Sequence, residues 1–328
     1  MLLITLLVTA TALPAAARGE ARSRLPLRRV ADLRVPGSTT RFDYQSIDTA
    51  AHRLYLAHLG DSTVLVIDLE QLRTLASIHD IADAHGVLVV PELNRVFATA
   101  TGTNELVSID ATTNRIIRRT PTGPFPDGLA YDADHNLVLV SNLRAGTETI
   151  VDARTGTPAR TVKLGDEVGN VTYDPTTQLA WVAVRQPDEL VAFDPATGNV
   201  AAHIRLRGCD GAHGVYLQPA AHTALVACEN NAQLAVADTT RRRLTARLRV
   251  GNGPDVLAFD PADSRLYVAA ESGTVTVIAT APKLRTVARA HLADNAHSVA
   301  VDETTHRVLF PLQREHGHPV LRVMEPTR

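Results

Sequence analysis

The chain has 328 residues, of which 45% are hydrophobic and 21% charged, the composition of a globular protein. A formal net charge of −2 offers no general attraction for a polyanion, and aromatics at 4% are too sparse for a base-stacking platform, so nucleic acid is not expected as a partner.

The first element in the chain is an export signal over residues 1–17. An apolar run from Leu2 to Leu13 is followed by Pro14 and by Ala15, Ala16 and Ala17, an A-x-A cleavage pattern. A membrane anchor would need about 20 apolar residues; this run is shorter, contains proline and stops at Arg18. Cleavage would leave a periplasmic or secreted protein with no membrane partner. A short segment, 18–27, then leads into a single domain over 28–328.

Beyond that point the sequence repeats itself. Segments such as "HGVLVVPELNRVFATA", "DGLAYDADHNLVLVSN", "HGVYLQPAAHTALVAC" and "HSVAVDETTHRVLFPL" each hold two apolar runs around a polar turn. Seven copies begin at Asp43, His85, Asp127, Gly169, His213, Asp255 and His297, at spacings of 42, 42, 42, 44, 42 and 42. In the third copy "GLAYD", "LVLVSN", "TETIVD" and "ARTVKL" alternate apolar and polar residues between Asp-, Asn- and Gly-rich turns, which predicts four strands. Four strands in about 42 residues is the size of one propeller blade. The fold expected is all-β, a seven-bladed β-propeller with four-stranded blades. The last copy supplies runs at 298–302, 307–312 and 319–324 and ends one strand short. The segment "LRRVADLRVPG", 27–37, reads like the fourth strand of other copies and is predicted to close the last blade, covering a sheet edge.

The repeat "PDGLAYDADHNLVLVSN…TIVDARTG" resembles that of the YVTN-repeat (YncE-like) β-propeller family, over about residues 28–328. The resemblance implies the fold and says little of activity, since similar proteins include exported binding proteins, lactonases, lyases and cofactor-bearing reductases. No C-x-x-C-H is present for covalent haem, and the histidine set of propeller copper reductases is missing. Neither haem nor a nucleotide cofactor is expected.

In a propeller the first residues of the copies form a ring at one mouth of the central channel. The histidines fall in blades 2, 5 and 7, separated by about 154°, 103° and 103° at about 51° per blade. Two readings stand. His85, His213 and His297 could converge on one divalent transition metal (zinc, copper or iron), with Asp43, Asp127, Asp255 and Glu229 as candidate proton-moving or supporting groups. Alternatively the ring braces blade against blade through turn chemistry. A second ring at the ends of the second strands adds His58, Asn142, Arg185, Glu229, Glu271, Gln313 and Arg314 as candidate ligand contacts. The loop "QREHGHP" carries His316 and His318 nearby.

Both cysteines lie in the fifth copy: Cys209 stands four residues before His213, and Cys228 ends the neighbouring antiparallel strand. In an oxidising compartment they are expected to form a disulfide, the alternative being thiolate ligation beside His213. The functions consistent with this pattern are an exported module that binds a small molecule, metal or protein at the mouth, a metal-dependent lyase or hydrolase of lactonase type, and a structural scaffold.

Overall fold

A computed structural model describes residues 24–327; the export signal expected over 1–17 lies outside the described residues. Seven separate four-stranded antiparallel sheets are present. The first blade consists of Gln45–Asp48, Arg53–His58, Thr63–Asp68 and Arg73–Ile78, and the third of Pro126–Asp132, Leu137–Asn142, Thr147–Asp152 and Pro158–Lys163. Each sheet is a meander, so hydrogen-bonded neighbours are also sequence neighbours. The exception is the last blade, where Leu27–Arg34 pairs antiparallel with His318–Pro326 and completes the sheet begun by Ala300–Asp302 and Arg307–Glu315. The predicted closing strand is in place.

Burial follows from the architecture. Second and third strands are covered on both faces because blades pack face to face; Arg53–His58 and Thr63–Asp68 are buried at nearly every position. Fourth strands lie at the rim and alternate, as Arg243–Arg249 does with its arginines outward. The core is therefore a set of layers between blades. Tyr55, Val64 and Val66 of blade 1 pack on Val87, Val89 and Val96 of blade 2. Trp181 and Leu190 of blade 4 pack on Leu217 and Val226 of blade 5. Leu54 and Leu56 of blade 1 meet Leu309 and Leu321 of blade 7, so the ring is closed by the same apolar contact that joins consecutive blades.

The seam is also held by charge. Arg322 donates from Nε and Nη2 to the two carboxylate oxygens of Asp32, both at 2.8 Å, and contacts Glu315 as well. Paired, fork-to-fork geometry of this kind fixes register as well as adding attraction. Aspartates at the ends of third strands organise the outer turns, Asp110 and Asp152 each accepting two backbone N–H bonds from the residues that follow.

Candidate functional site

The site is built where first strands meet the mouth. In blades 2 to 6 the pairing of first with second strand shifts register at the ring position, between Ala84 and Val87, Pro126 and Leu129, Val168 and Val171, Ala212 and Val215, and Pro254 and Leu257. A bulge there turns the ring residue out of the ladder and toward the opening. In blades 2, 3 and 5 a glycine follows it and lets blades approach: a Cβ on Gly214 would lie 1.9 Å from the carbonyl oxygen of Asp255.

Asp43, Asp127, Asp255, His213 and His297 are all buried within this ring. Asp255 stands at its centre. Its Oδ1 accepts from Tyr44 Oη at 3.2 Å and lies 3.3 Å from His213 Nε2, while its Oδ2 lies 4.0 Å from His297 Nε2. His213 Nε2 is also 3.9 Å from Asp127, and His297 Nε2 is 4.0 Å from Asp43 Oδ2. Arg41 reaches in from the strand approach, with Nε 3.3 Å from Asp43, Nη2 3.7 Å from Asp255 and Nη1 2.6 Å from Glu271.

The charges sort themselves by these distances. Burial opposes ionisation of His213, but the hydrogen bond and charge of Asp255, with Asp127 behind it, outweigh that and raise its pKa to about 9. Burial likewise pushes Asp255 up, yet His213, His297 and Arg41 hold it well below the ordinary carboxylate range. Asp43 moves the other way, pushed up by burial and by the neighbouring charge of Asp255. His297 is lowered by burial, against the opposing pull of Asp255.

The three imidazoles do not gather at one point. Among the described residues, the potential ligand atoms that lie within 4.8 Å of one another belong to Asp43, Asp255 and His297. His213 is engaged with Asp255 and Asp127. His85 holds its Nδ1 3.0 Å from the Asp83 carbonyl and packs edge-on against Phe125, ring centroids 5.3 Å apart, at the wall of the mouth.

Of the second ring, Glu229 and Glu271 line the mouth, and Arg185 contacts Glu229 and lies 3.5 Å from Glu167. His58 and Asn142 depart from the expected role. His58 is fully buried against Phe42, ring centroids 4.1 Å apart, with Nε2 3.1 Å from Thr40 Oγ1. Asn142 Nδ2 donates to Thr147 and Thr149 and ties its own hairpin. Both end a second strand, whose terminal side chain faces the neighbouring loop or strand. Gln313 is half-buried and Arg314 donates to Thr39 at the rim (3.3 Å), while His316 and His318 are exposed on the loop. These four residues lie outside the mouth lining. Cys209 and Cys228 are joined in a disulfide with Cα atoms 5.2 Å apart, as expected for an adjacent pair.

The resulting cavity at the mouth measures about 470 Å³ and is bordered by Arg41, Asp127, His85, His213, Phe125 and Glu229, among others. Tyr44 closes its floor. From blade 1 its hydroxyl donates to Asp255 of blade 6 and accepts from Asn170 Nδ2 of blade 4, crossing the channel. Below it lies a second cavity of about 370 Å³ with walls that include Val87, Leu129, Val171, Val215 and Phe259; Tyr44 and Asp255 border both spaces. Arg41, Tyr44 and Asn170 were missed by sequence reasoning. The signal was available for two of them: Tyr44 and Asn170 stand at the repeat position that is glycine in blades 2, 3 and 5.

No established family profile matches the chain. A stretch of 96 residues is 32% identical to the "Uncharacterized protein YncE" of Salmonella typhi and to that of Salmonella typhimurium. The chain resembles YncE. The match covers 29% of this chain and 27% of those proteins, so the chain is matched over about a quarter of the length of these curated relatives. Among solved structures, hydrazine synthase of Kuenenia stuttgartiensis superposes with a TM-score of 0.75 at 14% identity, over 85% of this chain and 94% of that one. U3-55K gives 0.76 at 9%, over 90% and 98%. A chain of the mitotic checkpoint complex gives 0.77 at 9%, over 99% and 98%. At such identities the likeness is one of fold alone.

Proposed function

We propose that the protein is an exported binding module that holds a small cationic ligand in the mouth of the propeller. The observation that carries this reading is the charge balance of the cavity. Six carboxyl groups border it (Asp43, Asp83, Asp127, Glu229, Asp255 and Glu271), an excess even with Asp43 pushed toward its neutral form and set against Arg41, a protonated His213 and the Arg185 that pairs with Glu229. A concave space with this excess of one sign concentrates the opposite sign, and its low-dielectric walls strengthen the attraction. Phe125 adds an aromatic face at the rim, over which the guanidinium of Arg144 already sits at 4.4 Å, the kind of surface that accepts a cation. Export is supported by the disulfide, since such a bond persists in an oxidising compartment.

The test is a thermal-shift and calorimetric series with zinc, manganese, calcium, putrescine and guanidinium ions, set against phosphate and acetate. Saturable stabilisation by at least one cation, weakened in Asp127→Asn and Glu229→Gln, is the expected result. Stabilisation by the anions alone would overturn the reading and assign the mouth to Arg41.

A further inference from the structure

We infer that the cation held at this mouth is a divalent metal ion bound by Asp43, Asp255 and His297, an inference that rests on the cation-binding reading above and makes it specific. The starting point is an electrostatic gap. His297 is 1% exposed, and its Nδ1 lies 3.0 Å from the carbonyl oxygen of Asn295. A carbonyl only accepts, so Nδ1 carries the hydrogen and Nε2 is the nitrogen left to offer a lone pair. That nitrogen has no hydrogen-bond partner. It points instead at Asp43 Oδ2 and Asp255 Oδ2, each 4.0 Å away.

Three lone-pair atoms thus face one another inside the protein, an arrangement that costs free energy unless something positive lies between them. Arg41 offsets part of the charge at its Asp43 and Asp255 contacts, but its guanidinium makes no hydrogen bond to His297 Nε2. A point equidistant from three atoms so spaced lies roughly 2.5 Å from each, against about 2.0–2.2 Å for zinc and 2.3–2.6 Å for calcium, so an ion fits with a contraction of a few tenths of an ångström.

The donor set narrows the ion. Two carboxylate oxygens and one imidazole nitrogen suit zinc, manganese or ferrous iron better than a soft ion, and three protein ligands leave positions open for water or a further ligand. The surroundings already do what outer groups do at metal sites. The Asn295 carbonyl fixes the tautomer of His297, and Tyr44 and His213 both engage Asp255 at Oδ1, leaving Oδ2 turned toward His297. His213 is then a positioning residue, and of the imidazoles singled out from the sequence His297 alone belongs to the ligand set.

The experiment is calorimetric titration of the full-length protein, purified without a histidine tag and stripped of metal, with zinc chloride and with manganese chloride. One ion per chain is expected. His297→Ala and Asp255→Asn should weaken binding by roughly 30-fold or more, while the double variant His316→Ala/His318→Ala on the exposed loop should leave it within about twofold. Arg41→Met provides a variant whose effect runs in the opposite direction: removing the neighbouring positive charge should tighten binding by about fivefold or more. Circular dichroism and thermal melting confirm folding, and should His297→Ala fail to fold, Arg41→Met and Asp255→Asn decide. Absence of zinc and manganese binding up to about 100 μM, binding lost with the loop histidines, or weakening in Arg41→Met would overturn the inference. Binding of putrescine or guanidinium ions with no metal bound would do so while leaving the cation-binding mouth standing. Failure of every cation would remove both.

Discussion

Glu148 should be the easiest place to make this propeller more stable. It is the second residue of the third strand in blade 3, where blades 1, 2, 4, 5 and 6 have Val64, Leu106, Leu190, Leu234 and Val275, all fully buried. Glu148 is 0% exposed too, and neither carboxylate oxygen has a hydrogen-bond partner. Burial pushes its pKa well above the ordinary value of 4.5, only partly countered by Ser141. The sign follows from linkage: the folded state holds the proton more tightly than the unfolded chain, so folding loses stability as pH rises above the unfolded value, up to the folded one. Between those two values the cost of holding the proton grows with pH, and it adds to about 1–3 kcal/mol for an unpaired buried polar group. Glu148→Leu removes both terms. Its melting temperature should exceed that of the wild type by at least a few °C (roughly 2–5 °C from the unpaired group alone) at pH 7, and by less at pH 4. Glu148→Gln should abolish the pH-dependent part while keeping the polar cost. Calorimetric melts of the three proteins between pH 4 and pH 8 provide the assay. A leucine variant that melts below wild type at pH 7, or whose gain is the same at both ends of the range, would refute the reasoning.

Three further outcomes are expected. Cys209→Ser with Cys228→Ser opens a link between residues 19 apart and should lower stability by roughly 3 kcal/mol on the chain-entropy estimate, measured by urea unfolding with and without reductant. Gly214→Ala drives a Cβ into the Asp255 carbonyl and should destabilise the protein by roughly 2–4 kcal/mol in the same assay, with no loss if blades 5 and 6 can part without cost. Arg322→Met removes the paired contact to Asp32, which keeps only Arg29 of its own strand, and leaves Glu315 without its partner at the seam. Limited proteolysis should then cut near residues 24–36 before the rest of the chain, whereas an unchanged digestion pattern would show that apolar packing alone holds the closing strand.

The blades and their closure were legible because the forces that set them are local and repeated. Alternating β-branched residues and aspartate-led turns recur every 42 residues, and a sequence that ends one strand short at its last copy while opening on an orphan strand has one economical pairing. Constant spacing also carried the ring, so Asp43, Asp127, Asp255, His213 and His297 were named from the chain alone. Side-chain direction was not legible. Whether an imidazole points at the axis depends on the backbone beneath it and on its neighbours. His85 and His297 both hold Nδ1 3.0 Å from the carbonyl two residues before, yet His85 packs against Phe125 while His297 faces Asp43 and Asp255, and His213 engages Asp255 through Nε2. His58 and Asn142 occupy equivalent repeat positions and are absorbed by local packing and a hairpin, a difference set by Phe42 and Thr149 and not by spacing. Arg41 lies just ahead of the first copy and carries no repeat signal, although it supplies the charge on which the acidic cluster depends. Glu148, Tyr44 and Asn170 teach the same lesson from the other side: in a repeat protein, the residue that breaks the pattern is the one to examine.

Diffraction from crystals soaked in manganese, recorded for anomalous scattering, tests the central claim most directly. One peak per chain is predicted, enclosed by Asp43 Oδ2, Asp255 Oδ2 and His297 Nε2 above the Tyr44 floor. A mouth with no peak there, its carboxylates held by Arg41 and His213 alone, would contradict the account and leave the ring as a brace between blades.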